Sequence, residues 1–320
     1  MKAIVHTRYG PPSEALRLEE REAPVPKHNE ALVRVRASSV NPADWYSITG
    51  RPFLGRMFGS GLWRPKSPLA GTDVAGTVES VGKDVKGFSP GGEVLGWRAG
   101  AFSEYVVAPE SSLVAKPANL SFEEAAGAPL AGVTALQAVR THGKVRPGQK
   151  VLVHGASGGV GTFTVQIAKA LGAEVTAVCS AGKAELARSL GADRVIDYTR
   201  EDFARQGTQY DLVLVVNGSR PARDYRTVLT AEGRCILLGG SVGPLIRLML
   251  FGRLYPSVRR GIVSFFVMKP NQPDLLFLRG LLEEGRLKTV VDRSFPLSEV
   301  AAALQYLHEG HARGKIAITV

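Results

Sequence analysis

The chain has 320 residues, 44% of them hydrophobic and 22% charged, with 40 Lys and Arg against 29 Asp and Glu for a formal charge of +11. That length and apolar content suffice for two domains with cores of their own, while no apolar run approaches the roughly 20 residues of a membrane span. The basic balance comes with no RNP-type motif, zinc finger or aromatic-interleaved basic strip, so a nucleic-acid partner is not expected. The start, Met1-Lys-Ala-Ile-Val-His-Thr-Arg, lacks the apolar centre of a signal peptide, and a cytoplasmic location is the resulting expectation. Cys179 and Cys235 fall in or at the ends of expected strands, which favours buried thiols over a disulfide or a metal pair.

In chain order, short strands separated by Gly and Pro are expected over 2–6, 30–38, 75–81, 93–96 and 103–107, an all-β, barrel-like pattern. The texture then changes. A buried strand over 151–154 runs into a glycine turn and an amphipathic helix that carries Val165, Ile167, Ala168 and Leu171 to a stop at Gly172. Strand and helix patterns then alternate: a strand over 174–179, a helix over 183–190, a strand over 194–197, a strand over 211–216, a helix over 223–229, a strand over 234–238 and a sixth strand over 261–268. Six strands with right-handed helical crossovers make a doubly wound parallel sheet. After it, a helix over 273–284, a strand over 289–295, a helix over 298–309 and a strand over 315–320 are assigned back to the first domain. The expected division is therefore residues 1–121 with 268–320, and residues 122–267, with the active site in the cleft over the carboxyl ends of the parallel strands.

The turn itself points to a dinucleotide. Ala156, Gly158 and Gly161 stand at GxGxxG spacing, with Ser157, Gly159 and Val160 between them. Gly158 would let the backbone approach a pyrophosphate, Gly161 would let the helix pack on the strand, and the helix N-terminus offers N–H groups and positive potential. Alanine takes the place of the first glycine, and Gly155 before it can still make the turn. The alternative is a tight turn without a ligand. At the end of the second strand of this half the sequence reads Cys179-Ser180, with no acid to hold an adenine ribose, and Lys183 follows on the next helix. This favours a 2′-phosphate and hence NADPH, with Tyr198 a candidate to flank the same group; a solvated helix lysine is the plainer reading of Lys183. Asn217 and Gly218 after the fourth strand, and Gly239, Gly240 and Ser241 after the fifth, are candidates for the ribose and nicotinamide, or ordinary loop turns.

The motifs Ser39-Val-Asn41-Pro42-Ala-Asp44-Trp45-Tyr46, Gly71-Thr-Asp73-Val-Ala-Gly76-Thr-Val-Glu-Ser-Val-Gly82, Gly132-Val-Thr134-Ala-Leu, the glycine turn and the ending Gly310-His311-Ala-Arg313-Gly314-Lys315 occur in one order. Together they resemble the medium-chain dehydrogenase/reductases, and within them the zinc-free quinone oxidoreductase branch, with the flavour of the subgroup around the mitochondrial reticulon-interacting oxidoreductase. The resemblance implies a GroES-like β-barrel catalytic domain beside the Rossmann sheet, NADPH-dependent reduction of a quinone or α,β-unsaturated carbonyl, and a homodimer. It also implies roles for residues. Asn41 would sit beside the nicotinamide ribose as a catalytic and cofactor residue, although Asn-Pro is a turn-starting dipeptide by itself. Tyr46 would donate a proton or stabilise an oxyanion, or else simply wall the pocket. Thr134 would meet the nicotinamide, or bond back to its own helical turn, and Arg313 would lie on the cofactor side. Zinc alcohol dehydrogenases carry Gly-His-Glu where this chain has Gly71-Thr72-Asp73, and the first domain has no cysteine, so no metal site is expected and alcohol oxidation loses its Lewis acid. The alternatives are an NAD(P)-dependent alcohol dehydrogenase and a weakly catalytic NADPH-binding sensor or assembly protein.

Two segments combine positive charge with apolar bulk and hold no acid. Between Asp44 and Asp73, Arg51, Arg56, Arg64 and Lys66 mix with Phe53, Leu54, Met57, Phe58, Leu62 and Trp63; between Gly233 and Pro273, Arg247, Arg253, Arg259 and Arg260 mix with residues such as Leu250, Phe251 and Tyr255. Peripheral contact with an anionic membrane is one reading, and pocket lids or dimer contacts are the other.

Overall fold

Residues 1–51, 53, 56, 61–218, 220–239 and 262–320 are described by a computed structural model, and they fall into two units. The first comprises Met1–Ala131, Pro270–Gly285 and Thr289–Val320; the second comprises Gly132–Lys269 and Arg286–Lys288. The division after Ala131 lies beyond the expected one after residue 121, because helix α3 (Phe122–Gly127) packs on strands of the first unit. Ser121 starts that helix with a capping box: its hydroxyl accepts from Glu124 N–H and the Glu124 carboxylate accepts from Ser121 N–H.

In the first unit, β1 (Lys2–His6) pairs antiparallel with β2 (Leu16–Glu20), a mostly exposed strand whose polar sequence hides it from a hydrophobic pattern search. The helical turn α1 (Pro12–Ala15) connects them. The larger sheet is organised by β3 (Glu30–Val40). Along one edge it pairs with β4 (Asp73–Val81); along the other, its first half takes β6 (Tyr105–Pro109) and its second half takes β15 (Lys315–Thr319). One long strand thereby serves two partners at a barrel corner, with register shifts toward β4 at 32/33 and 35/37. Strands β5 (Glu93–Trp97) and β7 (Leu113–Ala115) extend the β4 side, and β14 (Val291–Pro296) lies parallel to β15. Ala31, Val33 and Val35 of β3 point into a core with Val74, Val78, Val94 and Leu113, while Arg34 and Arg36 point out, the period-2 alternation of a one-sided strand. Helix α2 (Pro42–Thr49) starts at the Asn41-Pro42 pair, for which a turn was the alternative reading, because Pro42 occupies its first position, where a missing N–H costs nothing. Helices α8 (Gln272–Glu283) and α9 (Val300–His308) occupy the expected places.

In the second unit, the described residues form six parallel strands in the order β10-β9-β8-β11-β12-β13, with β8 (Lys150–His154) and β11 (Tyr210–Val215) central. Strands β8, β9 (Glu174–Cys179) and β11 are buried almost throughout, as sheet strands covered on both faces must be. The remaining strands are β10 (Arg194–Asp197), β12 (Leu229–Leu237) and β13 (Val263–Phe265). Helix α6 (Ala184–Ser189) joins β9 to β10, and the expected helix over 223–229 shortens to α7 (Ala222–Arg226), since Leu229 already pairs with Tyr210 of β11. Helix α4 (Pro129–Leu136) continues into a π-helical turn, Gln137–His142, whose Gln137 carboxamide exchanges two hydrogen bonds with the backbone of Lys269. Gly240, Ser241, residues 245–260, Gly261, Leu54, Met57 and Phe58 lie outside the described residues.

Candidate functional site

The glycine turn follows β8 directly and leads into α5 (Gly159–Ala170), a twelve-residue helix buried on most of its length. Gly155 has φ +87°, and a β-carbon there would stand 2.7 Å from Asn217 N at the end of β11. Gly161 is more tightly held: its added β-carbon would come within 2.1 Å of Gly155 O, so the helix packs on the turn only because no side chain intervenes. Gly158 is the opposite case. A β-carbon there would meet nothing nearer than Gly155 O at 3.9 Å, so the space in front of it is open, and as N-cap it brings no side chain to cover the first N–H groups of α5. An open cradle lined by backbone donors at a helix N-terminus fits the diphosphate of a dinucleotide. Ala156 is fully buried and Ser157 nearly so; Gly159 and Val160 form the first turn of the helix.

The other sequence-derived cofactor residues of this unit stand at the same, carboxyl, edge of the sheet. Ser180 closes β9 and accepts the backbone N–H of Lys183 across a 3₁₀ turn, and Tyr198 follows β10 with 58% of its surface exposed. Asn217 and Gly218 follow β11, and Gly239 follows β12, its N–H donating to Val215 O. Gly218 is enclosed rather than open, because a β-carbon there would meet the Tyr225 hydroxyl at 2.4 Å and His154 Nδ1 at 3.0 Å. His154 itself, the last residue of β8, was missed by the motif reading. It is buried between Phe203 and Tyr225, its Nδ1 lies 2.9 Å from the Tyr225 hydroxyl, and burial, helped by the Arg220 charge, pulls its pKa down to about 4. The imidazole is therefore neutral at pH 7.

In the first unit, the residues around Asn41 form a buried polar cluster. Asn41 is 2% exposed and is the N-cap of α2, where its N–H donates to Asp44 Oδ2 at 2.8 Å. Its carboxamide is held at both ends: Nδ2 donates to Asp73 Oδ2 at 2.9 Å, and Oδ1 accepts from the ammonium of Lys315 at 2.5 Å. The turn alternative for Asn41 thus takes the form of a helix cap that also carries a side-chain network. Asp73, wholly buried at the start of β4, accepts further from Ser39 Oγ on one oxygen and from the Leu130 N–H of α4 on the other. Thr72 donates its hydroxyl to Asp44 Oδ1. Burial and the neighbouring Asp73 charge push the Asp44 carboxyl up to about 6, against the bonds from Asn41 and Thr72 and the Lys315 charge, which favour the anion. Neither Asp73 nor Lys315 was singled out as a site residue, since each is an ordinary strand residue until β3, β4 and β15 bring them within reach.

Tyr46 lies on α2 with 39% of its surface exposed, and partial burial raises its phenol pKa, which keeps it a proton donor at neutral pH. Thr134 lies on α4, and Arg313 precedes β15, its N–H donating to Asp292. Gly71-Thr72-Asp73 carries no imidazole or thiol, and no group of three or more His, Cys, Asp or Glu among the described residues is placed to hold a metal ion. No helix among them is long and apolar enough to cross a membrane.

A parallel sheet in the order 3-2-1-4-5-6 with a glycine turn after its first strand, joined in one chain to a GroES-like β-sheet, defines a dehydrogenase or reductase of the medium-chain class. Comparison with known proteins agrees. Residues 27–118 match the alcohol dehydrogenase GroES-like domain family, and residues 190–318 match the family described as zinc-binding dehydrogenase. The chain is 36% identical to the chloroplastic quinone-oxidoreductase QR1 of Triphysaria versicolor, over 99% of this chain and 98% of that protein. It is 34% identical to the chloroplastic NADPH-dependent alkenal/one oxidoreductase of Arabidopsis thaliana (99% and 79%) and 34% identical to the mouse mitochondrial NAD(P)H oxidoreductase RTN4IP1 (91% and 82%). The solved structure of the Coxiella burnetii quinone oxidoreductase superposes with a TM-score of 0.87 at 30% identity, covering 100% of this chain and 99% of that one. The chain belongs to the medium-chain dehydrogenase/reductase family, in its quinone oxidoreductase-like branch.

Proposed function

We propose that the protein is an NADPH-dependent, zinc-independent reductase of quinones or α,β-unsaturated carbonyls. The observation that carries this reading is the glycine cradle, open at Gly158 and closed by necessity at Gly161, in a chain whose full-length relatives include a quinone oxidoreductase and an alkenal/one oxidoreductase. A bound reduced nicotinamide supplies the hydride. The chain's own part is to hold the diphosphate on the N-terminus of α5, to place Asn41 and Thr134 at the nicotinamide end, and to deliver a proton from the Tyr46 phenol to the oxygen that becomes negative after hydride addition. Hydride and proton together reduce a quinone to its hydroquinone, or an enone to an enol that tautomerises to the saturated ketone.

NADPH rather than NADH is supported by Ser180, in place of an acid, directly after β9 and by Lys183 three residues on; the nearby Asp197, which ends β10 beside Cys179, is engaged by the Ala181 N–H. Zinc independence is supported by the residue types of Gly71-Thr72-Asp73, which offer no imidazole where zinc alcohol dehydrogenases carry Gly-His-Glu. The test is oxidation of NADPH and NADH at 340 nm by chelator-treated protein with 9,10-phenanthrenequinone, 1,4-benzoquinone and a short enone. Turnover with NADPH bears the reading out. Saturable NADPH binding without turnover favours the sensor or assembly role, and alcohol oxidation restored by added zinc favours an alcohol dehydrogenase.

The finer expectations remain part of this proposal: a cytoplasmic homodimer with peripheral affinity for anionic membranes. Among the described residues β13 is an edge strand that offers its outer side to a second copy, and Trp63, 80% exposed beside Arg64 and Lys66, offers an anchor to an anionic surface. Sedimentation and flotation with anionic liposomes test the two.

A further inference from the structure

Lys315 has no role in the chemistry described so far, and its burial is costly. Its side chain is 3% exposed, and a well-packed apolar residue in its place, paired with a neutral partner at Asp73, would serve stability as well or better. Its geometry shows where the charge is directed. The ammonium stands 2.5 Å from Asn41 Oδ1 but 3.4 Å from Asp73 Oδ2 and 3.4 Å from Val40 O, so its nearest partner is the carboxamide and not the carboxylate. Cation and anion together fix the Asn41 amide in one orientation. A flipped amide would set its NH2 against the ammonium and its oxygen against Asp73.

Two consequences follow for the residues that face the nicotinamide in the proposed reading. One Nδ2 proton of Asn41 goes to Asp73 at 2.9 Å, while among the described residues the other has Ser39 O at 3.4 Å, a weak partner that leaves it available to a ligand carbonyl. The second oxygen of Asp73 accepts the Leu130 N–H in the first turn of α4, the helix that bears Thr134. A single buried ion pair thus anchors both the amide of Asn41 and the start of the Thr134 helix.

We propose that Lys315 is a positioning residue for the nicotinamide half of the cofactor, acting through Asn41 and Asp73. The role rests on the nicotinamide chemistry proposed above. Its test separates the two halves of the ligand, with NADPH as the whole and adenosine 2′,5′-bisphosphate as the adenine half, both titrated calorimetrically. The double variant Lys315→Met/Asp73→Asn removes both members of the ion pair together, so neither is left buried without its partner, while Asp44 keeps the Asn41 N–H and the Thr72 hydroxyl as donors. Asn41→Ala provides a second variant that leaves the ion pair intact. In both variants the bisphosphate binds within twofold of the wild type, while NADPH binds at least tenfold more weakly, its nicotinamide fluorescence enhancement falls, and kcat drops with little change in the acceptor KM. NADPH affinity within twofold of wild type in either folded variant overturns the proposal, as does a wild-type protein that binds NADPH no more tightly than the bisphosphate. Absence of wild-type turnover counts against the reductase reading alone, because the affinity comparison decides the positioning role without it.

Discussion

At the end of β8 the chain makes room by leaving side chains out, whereas at the end of β3 it fills the space with charged ones. The glycine turn offers backbone N–H groups, and Gly161 and Gly155 are there because any β-carbon would collide with Gly155 O or Asn217. The Asn41 cluster works in the opposite way: two carboxylates, a carboxamide and an ammonium, each nearly or wholly buried, hold one another in place across β3, α2, β4 and β15. The first arrangement suits a ligand that brings its own charge, since a rigid, uncharged cradle with a helix dipole needs nothing neutralised before binding. The second suits orientation, since a buried ionic network tolerates few alternative geometries and becomes costly when one member is removed.

The contrast breaks most visibly at Gly161. Gly161→Val forces α5 away from the turn and is expected to abolish NADPH binding and lower the melting temperature, whereas Gly158→Ala leaves the melting temperature unchanged and weakens only the cofactor, by about tenfold, roughly 1.4 kcal/mol. Fluorescence titration beside a thermal melt distinguishes them. Next in size is Lys315→Met alone, which leaves Asp73 buried without its cation and costs about 3–5 kcal/mol in denaturant unfolding; adding Asp73→Asn recovers most of it.

The two units also respond oppositely to acid. Asp44 has a folded pKa near 6, above its usual 3.8, so it binds its proton sooner in the folded state, and its contribution to stability grows as pH falls from about 6 to 3.8. His154 has a folded pKa near 4, below its usual 6.5, so its contribution is complete above pH 6.5 and is lost as pH falls toward 4. Each shift is worth at most about 3 kcal/mol. Hydrogen exchange followed separately in α2 and β8 between pH 7 and 4.5 is expected to show protection falling more steeply at β8. Asp44→Asn raises stability at pH 8 and flattens its own limb; His154→Leu flattens the other. The smallest effect is at Lys183, where Lys183→Ala narrows the preference for NADPH over NADH by about tenfold, read from the ratio of kcat/KM values.

Local pattern sufficed for the second unit. Continuous apolar strands at 151–154, 174–179 and 211–216 and a glycine triplet at the strand-to-helix junction are signals contained within a dozen residues, and the observed β8, β9, β11 and α5 follow them closely. The first unit was legible only in part. Its main strands appeared, but β2 is polar and exposed, β7 spans three residues, and α2 begins at an Asn-Pro that also starts turns, so none of the three carries a decisive local signal.

By itself, then, the sequence determined the parallel nucleotide-type sheet, the open and closed glycines of its turn, and the family to which the chain belongs, because each depends on residues adjacent in the chain. Only the tertiary structure decided that Asn41, Asp73 and Lys315 act together. They lie 32 and 242 residues apart along the chain, and it is the pairing of β3 with β4 on one edge and β15 on the other that brings their side chains into one buried network.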